Sequence, residues 1–314
     1  MGFRSKMAME ALKYTGKGRC PLILNLEISH SCNLFCKACG RVRTPKNGNL
    51  SINECKAAIT KTGAPLIYFT GGEPLLNKSL PEIVDYALEN DRIVFVVTNG
   101  VLLKDRISEF VKNENLVFEV SIDGLKEQHN HIRGEGVFEK ALQGIKHAKS
   151  EGFKVYTNMT IYKVNSGILE ALIQYFNSTV DAFYFMPLFN FFETGESLNR
   201  KDIKKVGEEL LSLYKDYPSA NTVSYLAFLK GQEIKCTPWG TVTLDPNGWK
   251  SPCYFITEDY YPTFDELREN TEWDKFEKKE DKRCKMCFSH CGHEPTVVRD
   301  KKLLGRHLLA NIPP

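Results

Sequence analysis

From residue 21 to residue 186, short apolar segments alternate with amphipathic segments. Six apolar segments have the length and the branched or aromatic content of β-strands, and we predict them at residues 21–28, 66–70, 93–98, 117–122, 155–161 and 182–186. Helices are predicted between them, beginning at Ser51 and spanning residues 80–89, 106–112, 138–151 and 167–177. Such alternation indicates parallel strands with helical crossovers, and in α/β barrels of this kind the chemistry lies at the carboxyl ends of the strands.

The helix that begins at Ser51 has a clear start signal. Ser51 and Glu54 match a capping box, in which each side chain bonds to the backbone of the other residue. Cys55, Ala58 and Ile59 follow on what would be its apolar side. We therefore predict that Cys55 is a core residue and not a metal ligand.

After the sixth predicted strand, the chain is organised differently. A charged helical segment covers about residues 200–230, and residues 240–250 are predicted to form a β-hairpin with Asp245-Pro246-Asn247-Gly248 at its turn. Four regions are therefore predicted, which are residues 1–20 as an N-terminal basic helix, 21–200 as a barrel, 201–235 as a helical connector and 236–314 as a cysteine-rich extension.

Composition excludes several classes of protein. Hydrophobic residues at 42% and charged residues at 26% are typical of a globular protein, and a net charge of +3 gives no basis for nucleic-acid binding. There is no run of about eighteen apolar residues that would predict a membrane span, and no secretory signal is recognisable. All of the ten cysteines except Cys20 and Cys55 lie in two regions, which indicates metal binding in a reducing compartment.

The first nineteen residues are basic and are predicted to be helical. Phe3, Met7, Ala11 and Tyr14 recur at helical spacing and would share one face. Two interpretations are open: the helix packs on the protein body, or it lies on an anionic membrane surface, as basic amphipathic helices do. We expect a cytoplasmic protein, and the second interpretation would place it at the inner membrane surface.

Three cysteines follow the first predicted strand at the spacing C-x3-C-x2-C, namely Cys32, Cys36 and Cys39. Three thiolates on one loop can bind three irons of a [4Fe–4S] cubane, which leaves the fourth iron open to a small molecule with an amine and a carboxylate. Disulfides would leave one thiol over, and structural zinc normally takes four protein ligands. The loop therefore predicts an iron–sulfur site with one open position.

A second motif, Gly71-Gly72-Glu73-Pro74, ends the second predicted strand, and its glycines would let the backbone approach a ligand closely. Together with the cysteine loop it resembles the GGEP motif of the radical S-adenosylmethionine (SAM) superfamily, over about residues 21–300. The resemblance implies a partial (β/α)6 barrel of the TIM type, a [4Fe–4S] cluster with one open iron site, and SAM as cofactor. Glu73 would receive the amino group of SAM.

The resemblance also implies which residues contact SAM. Ser121 and Asp123 resemble a contact with its ribose or carboxylate, and Arg133 resembles a position that pairs with the carboxylate. Phe35 would shield one side of the cluster, although the family usually places an aromatic residue just before the third cysteine, where this chain has Ala38. Cys32, Cys36 and Cys39 would be the catalytic ligands, and the cofactor-binding set would be Phe35, Gly71, Gly72, Glu73, Pro74, Thr98, Asn99, Ser121, Asp123, Arg133 and Asn158.

A second group of cysteines lies in the extension. Cys236 and Cys253 flank the predicted hairpin, which would bring them together, while Cys284 and Cys287 add two thiolates and Cys291 a fifth. Four thiolates fit either a second [4Fe–4S] cluster or a zinc ion, so both metals are open at this point, and Cys291 could replace Cys284 as a ligand. The spacing resembles the auxiliary-cluster extension of radical SAM enzymes.

Several runs resemble one family within the superfamily, the adenosylhopene transferases of hopanoid lipid biosynthesis. They are Ser31-Cys32-Asn33-Leu34, Cys236-Thr237-Pro238-Trp239-Gly240, Gly248-Trp249, Pro252-Cys253-Tyr254 and residues 287–292. The resemblance implies that the 5′-deoxyadenosyl radical adds to an alkene of a hopanoid-type lipid. The chain departs from the family pattern at Val97, where the family has a cysteine.

Three functions are therefore expected. The first is adenosyl transfer to a hopanoid-type lipid, which would need an apolar cavity that the aromatic run at residues 189–192 could line. The alternative is hydrogen abstraction from a different substrate by a dehydrogenase, epimerase or peptide-modifying enzyme with an auxiliary cluster. The third is an iron–sulfur or zinc carrier without turnover. For an enzyme we expect a small-molecule or lipid substrate, a low-potential electron donor such as flavodoxin or ferredoxin, and no nucleic-acid partner.

Overall fold

A computed structural model describes residues 3–14, 18–37, 39, 48–188, 195–285 and 287–310. The strands are β1 Ile23–Ser29, β2 Leu66–Gly71, β3 Ile93–Thr98, β4 Leu116–Ser121, β5 Lys154–Ile161, β6 Ala182–Pro187, β7 Thr241–Asp245, β8 Gly248–Pro252 and β9 Thr257–Tyr261. The helices are α1 Phe3–Tyr14, α2 Ile52–Thr62, α3 Leu80–Glu89, α4 Leu103–Arg106, α5 Lys126–Arg133, α6 Val137–Ser150, α7 Leu169–Phe176, α8 Arg200–Ser212, α9 Val223–Lys230, α10 Phe264–Asn270, α11 Trp273–Glu277, α12 Lys282–Lys285, α13 His290–Arg299 and α14 Lys301–Ala310.

The described strands form one sheet in the order β6-β5-β4-β3-β2-β1-β7-β8-β9. Strands β1 to β6 pair in parallel, each with the next along the chain, which confirms the predicted partial (β/α)6 barrel. Helical crossovers between these strands explain the parallel order.

The cysteine-rich extension continues the same sheet. Its strand β7 pairs in parallel with β1, and the predicted hairpin is formed by β7 and β8, with Asp245 opposite Gly248. The sequence does not predict the pairing of β7 with β1, because the choice depends on which edge of the barrel is left open. The region boundaries at residues 20, 200 and 235 stay predictions.

The two faces of the barrel sheet differ in composition. The outer face packs its apolar side chains, such as Leu26, Phe69 and Phe118, against the crossover helices in one large core. The inner face has a smaller apolar cluster at the amino ends of the strands, with Ile23 and Phe95 among its members. Alternation along each strand separates the two sets, so polar side chains that alternate with the outer core must face inward.

Helix α13 of the extension packs on this inner face. Cys291 O accepts a hydrogen bond of 2.6 Å from Thr241 Oγ1 on β7, and the ring of His290 lies edge-on to that of Tyr184 on β6, with centroids 4.9 Å apart. Val298, near the other end of the helix, packs against the inner apolar cluster. The extension therefore supplies a helix to the interior of the barrel.

Some local sequence signals predict the observed elements correctly, and others do not. The capping box forms, with Ser51 N donating to Glu54 Oε2 at 2.7 Å and Glu54 N to Ser51 Oγ at 3.2 Å. Cys55 is fully buried, and this burial raises the pKa of its thiol to about 12, so it is a core residue as predicted. The helix predicted at residues 106–112 is wrong, because the helical turns there are α4 and a 3-10 turn at Ile107–Glu109. Helix α5 was not predicted, since its sequence is mostly polar.

Helix α1 ends on the protein body. Tyr14 is 7% exposed, and its hydroxyl donates to Gly63 O at 3.2 Å. The side chains of Phe3, Met7 and Ala11 lie outside the described set, so their shared face stays a prediction. Within the described ranges, no helix has the length and apolar character that a membrane span requires.

Candidate active site

The first cysteine group lies at the carboxyl end of β1, where the chain leaves the sheet. Cys32, Cys36 and Cys39 are all partly buried. Burial raises the pKa of the Cys36 thiol to about 11, Arg133 opposes this rise, and the thiols of Cys39 and Cys32 add to it. The three thiols are thus close enough to influence one another, as a shared cluster requires.

Glu73 connects the ends of β2 and β3 beneath this loop. Its carboxylate is fully buried and accepts hydrogen bonds from Thr98 Oγ1 at 2.7 Å, Leu75 N at 3.0 Å and Asn99 N at 2.8 Å. Burial raises the pKa of Glu73, and these three bonds oppose the rise. Asn99 Nδ2 then donates to Asn33 Oδ1 in the cysteine loop at 2.7 Å.

The predicted contacts of Glu73, Thr98 and Asn99 with SAM stay predictions, and the hydrogen bonds show what holds these side chains within the protein. Thr98 and Asn99 hold Glu73 and are nearly buried themselves, so none of the three side chains presents a free polar edge to a ligand. A buried carboxylate that accepts three hydrogen bonds has its hydrogen-bonding capacity met by the protein. We therefore interpret Glu73, Thr98 and Asn99 as positioning residues that fix the cysteine loop relative to β3.

The two glycines of the GGEP motif pack closely on the backbone of the cysteine loop, and their approach to a ligand stays a prediction. A Cβ on Gly72 would lie 2.0 Å from Ser31 O, and one on Gly71 would lie 2.4 Å from Ser29 O. Gly72 N and Glu73 N donate to these same carbonyls at 2.7 and 2.8 Å. The glycines thus permit close approach to the protein's own backbone, while Pro74 begins a 3-10 turn.

Arg133 lies on α5 and acts electrostatically on Cys36 of the cysteine loop. Its Nε donates to Asp123 Oδ2 at 2.6 Å, and the other oxygen of this fully buried carboxylate accepts from Thr160 N at 3.0 Å. Burial alone lowers the pKa of Arg133, but Asp123 and Cys36 outweigh it and raise the pKa. Asp123 therefore orients Arg133, whose side chain is 14% exposed.

His129 completes this arrangement. Its Nδ1 accepts from the backbone N–H of Asp123 at 3.1 Å, while burial and then Arg133 lower its pKa to about 3. A neutral imidazole beside Arg133 avoids repulsion between two cations. His129 and Arg133 are four residues apart on α5 and so share one helix face. The sequence contains this four-residue spacing, but no helix was predicted there, so the shared face of the two side chains was not recognised.

Three further residues were predicted to bind the cofactor: Ser121, Asn158 and Phe35. Ser121 and Asn158 sit opposite each other on β4 and β5 and are partly exposed, and Asn158 Nδ2 donates to Glu119 Oε1 on the inner face. Phe35 is 83% exposed, and its role in shielding the cluster stays a prediction. Ala38, where the family has an aromatic residue, lies outside the described residues.

In the extension, all five cysteines line one cavity of about 30 Å³; they are Cys236, Cys253, Cys284, Cys287 and Cys291. The hairpin brings its two flanking cysteines to the same place as the C-x2-C pair. Gly292 makes room for this packing, since a Cβ there would lie 2.2 Å from Cys236 Sγ. The folding of the extension thus collects its thiols around one point.

The five thiols fit an auxiliary iron–sulfur cluster, and a zinc ion is the alternative that four thiolates also allow. With Zn–S bonds of about 2.3 Å in a tetrahedron, thiolates on one zinc lie about 3.8 Å apart. Among the described residues no three cysteine sulfurs lie within 4.8 Å of one another. His293 is not available either, because Ser289 O is 2.6 Å from its Nδ1 and Lys279 Nζ is 3.4 Å from its Nε2.

A buried ionic network ties the extension to β1 just before the cysteine loop. Lys250 Nζ on β8 lies 2.6 Å from Glu27 Oε1 and 3.6 Å from Asp245 Oδ2, and His30 Nε2 lies 3.5 Å from the same Asp245 oxygen. The side chains of Glu27, Asp245 and Lys250 are 3%, 2% and 10% exposed. Sequence reasoning missed this network, because its members are far apart along the chain.

We expect Lys250→Met to lower the free energy of unfolding by about 3–5 kcal/mol, because two buried carboxylates lose their cation. Urea denaturation measures the change. The control is Lys56→Met, which removes a pair with Glu82 at 2.8 Å in which both partners are substantially exposed, and which should cost about 1 kcal/mol or less. Equal losses in the two variants would contradict a structural role for the network.

The family comparison agrees with this geometry. Residues 26–176 match the family model of the Radical SAM superfamily. This part of the chain belongs to the radical SAM superfamily. Residues 187–308 match a second model, described as a domain of unknown function (DUF3463). Radical SAM proteins use a [4Fe–4S] cluster and SAM, which confirms the predicted cofactors, and the cysteine-rich extension fits an auxiliary cluster.

Individual proteins within the radical SAM superfamily are also similar to this chain. The chain is similar to Fe-coproporphyrin III synthase of Methanosarcina barkeri, at 34% identity over 52% of this chain and 43% of that protein. It is also similar to the subtilosin biosynthesis protein AlbA of Bacillus subtilis, at 23% identity over 76% of this chain and 56% of AlbA. The chain thus spans about half the length of these relatives.

A solved structure shares the fold. SuiB of Streptococcus suis bound to precursor peptide SuiA gives a TM-score of 0.67 at 13% identity, with 95% of this chain and 77% of SuiB covered. The match supports the radical SAM fold of the barrel together with its extension. None of the comparisons supports the adenosylhopene transferase family.

Proposed function

We propose that the protein is a radical SAM enzyme that abstracts a hydrogen atom from a polar substrate. The observation that carries the proposal is the polarity of the inner face of the barrel. Glu119 and Asn158 are paired there, Asn25 accepts from Thr70 Oγ1 at 2.7 Å, and the hydroxyl of Tyr184 is buried without a hydrogen-bond partner among the described residues.

Two carboxyl groups strengthen this interpretation. Burial raises the pKa values of Glu119 and of Glu294, on α13, to about 7. Both carboxyls act on the pKa of Tyr68 and of Tyr184, so they lie near the phenols of β2 and β6. An inner face with carboxyl, phenol and amide groups suits a substrate that forms hydrogen bonds, since an apolar hydrocarbon would leave these groups unpaired.

The roles of the chain's own residues follow from the site. Cys32, Cys36 and Cys39 would hold a [4Fe–4S] cluster, which supplies the electron that cleaves SAM to methionine and a 5′-deoxyadenosyl radical. Arg133, oriented by Asp123, would bind the carboxylate of SAM. The extension cysteines would hold a second cluster, which can act as a one-electron acceptor.

A second candidate is adenosyl transfer to a hopanoid-type lipid. The runs around Cys236, Gly248 and Cys253 favour it, because they resemble that family outside the shared barrel. The polar inner face is unfavourable for a hydrocarbon substrate. The aromatic run at residues 189–192, which was predicted to line a lipid cavity, lies outside the described residues. The relatives in haem synthesis and peptide modification favour hydrogen abstraction.

Product analysis separates the two. With dithionite, SAM and a lysate fraction of polar metabolites and peptides, we expect free 5′-deoxyadenosine, which carries deuterium when the fraction is prepared from deuterated cells. With the hopanoid alkene diploptene, we expect no adenosylated lipid. A lipid product that contains the whole adenosyl group would establish the transferase instead. Absence of any SAM cleavage by the reconstituted protein would favour the metal carrier.

A further inference from the structure

We propose that Glu119, Glu294 and the hydroxyl of Tyr184 form a binding site for a protonated amino group of the substrate, on the inner face of the barrel sheet. The inference rests on the proposed function and deepens it, because it names the chemical class of the polar substrate. Three lines of observation support it: where the side chains point, which of their atoms lack a partner, and the charge that they bring together.

A row of side chains on α13 shows where Glu294 points. His290, Glu294 and Val298 are each four residues apart on this helix and so share one of its faces. The ring of His290 contacts that of Tyr184 on β6, with centroids 4.9 Å apart, and Val298 packs against the inner apolar cluster. Glu294 lies between these two contacts and therefore faces the inner side of the sheet.

Glu119 reaches the same face from β4. It is two residues from Val117, a member of the inner apolar cluster, and two residues from Ser121 at the carboxyl end of the strand. Its Oε1 accepts from Asn158 Nδ2, and Asn158 is the register partner of Tyr184 on β6. Glu119 and Tyr184 therefore lie on one face, between the apolar cluster and the carboxyl ends of the strands.

Two polar atoms of this group have no hydrogen-bond partner within the described part of the chain. They are the hydroxyl of Tyr184, a residue that is 8% exposed, and Oε2 of Glu294, and both atoms are buried. The other oxygen of Glu294 accepts from Thr222 N at 3.0 Å. A buried polar atom without a partner costs free energy, so we expect a bound group to complete these hydrogen bonds.

Charge indicates what this group is. Buried Glu27 has a cation, Lys250 Nζ, at 2.6 Å, but no Lys, Arg or His among the described residues forms such a pair with Glu119 or Glu294. Burial raises the pKa values of both carboxyls to about 7, and a bound cation would favour their ionised forms. An ammonium group has three N–H donors, which match oxygens on Glu119, Glu294 and Tyr184.

Deuterium transfer tests the site in the full-length reconstituted protein with SAM and dithionite. A lysate of deuterated cells is separated on a cation exchanger at neutral pH into a retained cationic fraction and a flow-through. We expect 5′-deoxyadenosine to take up roughly tenfold more deuterium with the cationic fraction, and acetylation of the amino groups in this fraction should remove the transfer. Glu119→Gln and Glu294→Gln should each lower the deuterium per 5′-deoxyadenosine formed by about tenfold at limiting substrate.

The matched control is Glu208→Gln, which removes a carboxylate that is 46% exposed on α8 and should transfer deuterium like wild type. Urea denaturation checks folding. Glu294→Gln should unfold at no lower urea concentration than wild type, because the amide oxygen can still accept from Thr222 N and a buried charge is removed. A loss of stability would contradict the inference, because it would mark Glu294 as a structural residue.

The inference is overturned if most of the deuterium comes from the flow-through, if acetylation leaves the transfer intact, or if both glutamine variants transfer like wild type. Each of these outcomes leaves the proposed function standing. If no fraction transfers deuterium, the proposed function fails, and calorimetric titration with hexylamine then decides the site. Wild type should bind hexylamine about tenfold more tightly than Glu294→Gln does, and equal affinities would exclude an ammonium site.

Discussion

Cys36→Ala is expected to abolish reductive cleavage of SAM. The three loop thiols are the proposed protein ligands of one cluster with an open iron, and loss of one would leave two, which do not retain a cubane. Iron content should fall from about eight to about four per chain, because the extension cluster remains. Iron and sulfide analysis with the visible absorption spectrum measures the first effect, and chromatography of 5′-deoxyadenosine measures the second.

Two variants make this result specific. Cys20→Ala removes an exposed cysteine outside both groups and should leave iron and activity intact. Cys253→Ala should also lower iron to about four per chain, but it should retain the cluster that cleaves SAM. A Cys36→Ala protein with full iron content would show that the loop cysteines do not bind the cluster.

Arg133→Met should weaken SAM binding by about tenfold to a hundredfold, as expected when a charge-assisted hydrogen bond of about 1.5–3 kcal/mol is lost. It should also lower the free energy of unfolding by about 3–5 kcal/mol, because the fully buried Asp123 loses its cation. Equilibrium dialysis with labelled SAM measures the affinity, and urea denaturation measures the stability.

The double variant Asp123→Asn with Arg133→Met separates these two effects. Neutralising the buried carboxylate should recover much of the stability, since Asn can still accept from Thr160 N through its amide oxygen. SAM affinity should stay low. If the double variant regains affinity, then Arg133 acts only through folding, and its pairing with the SAM carboxylate is wrong.

Much of the architecture could be predicted from local patterns. The six parallel strands, the capping box at Ser51 and the hairpin at Asp245 to Gly248 depend on periodicity, capping and turn chemistry within a few residues. The cysteine loop and the GGEP motif were identifiable for the same reason, because their spacing is short and specific. The convergence of the extension cysteines followed from the hairpin.

Roles that depend on which way a side chain points were not predictable. Glu73 and Asp123 are buried and accept hydrogen bonds from donors on β3, β5 and α5, which reach them only in the folded chain. Phe35 is exposed because nothing in the tertiary structure covers it within the described residues.

The sequence by itself thus determined the strand order through the barrel, the two cysteine groups and the superfamily, because each is carried by residues close together along the chain. Only the tertiary structure decided that β7 extends the barrel sheet and that α13 packs on its inner face. It also decided that the inner face is polar, with Glu119 and Glu294 near the same phenols. Those features arise from contacts between residues fifty or more positions apart, whose pairing no local periodicity encodes.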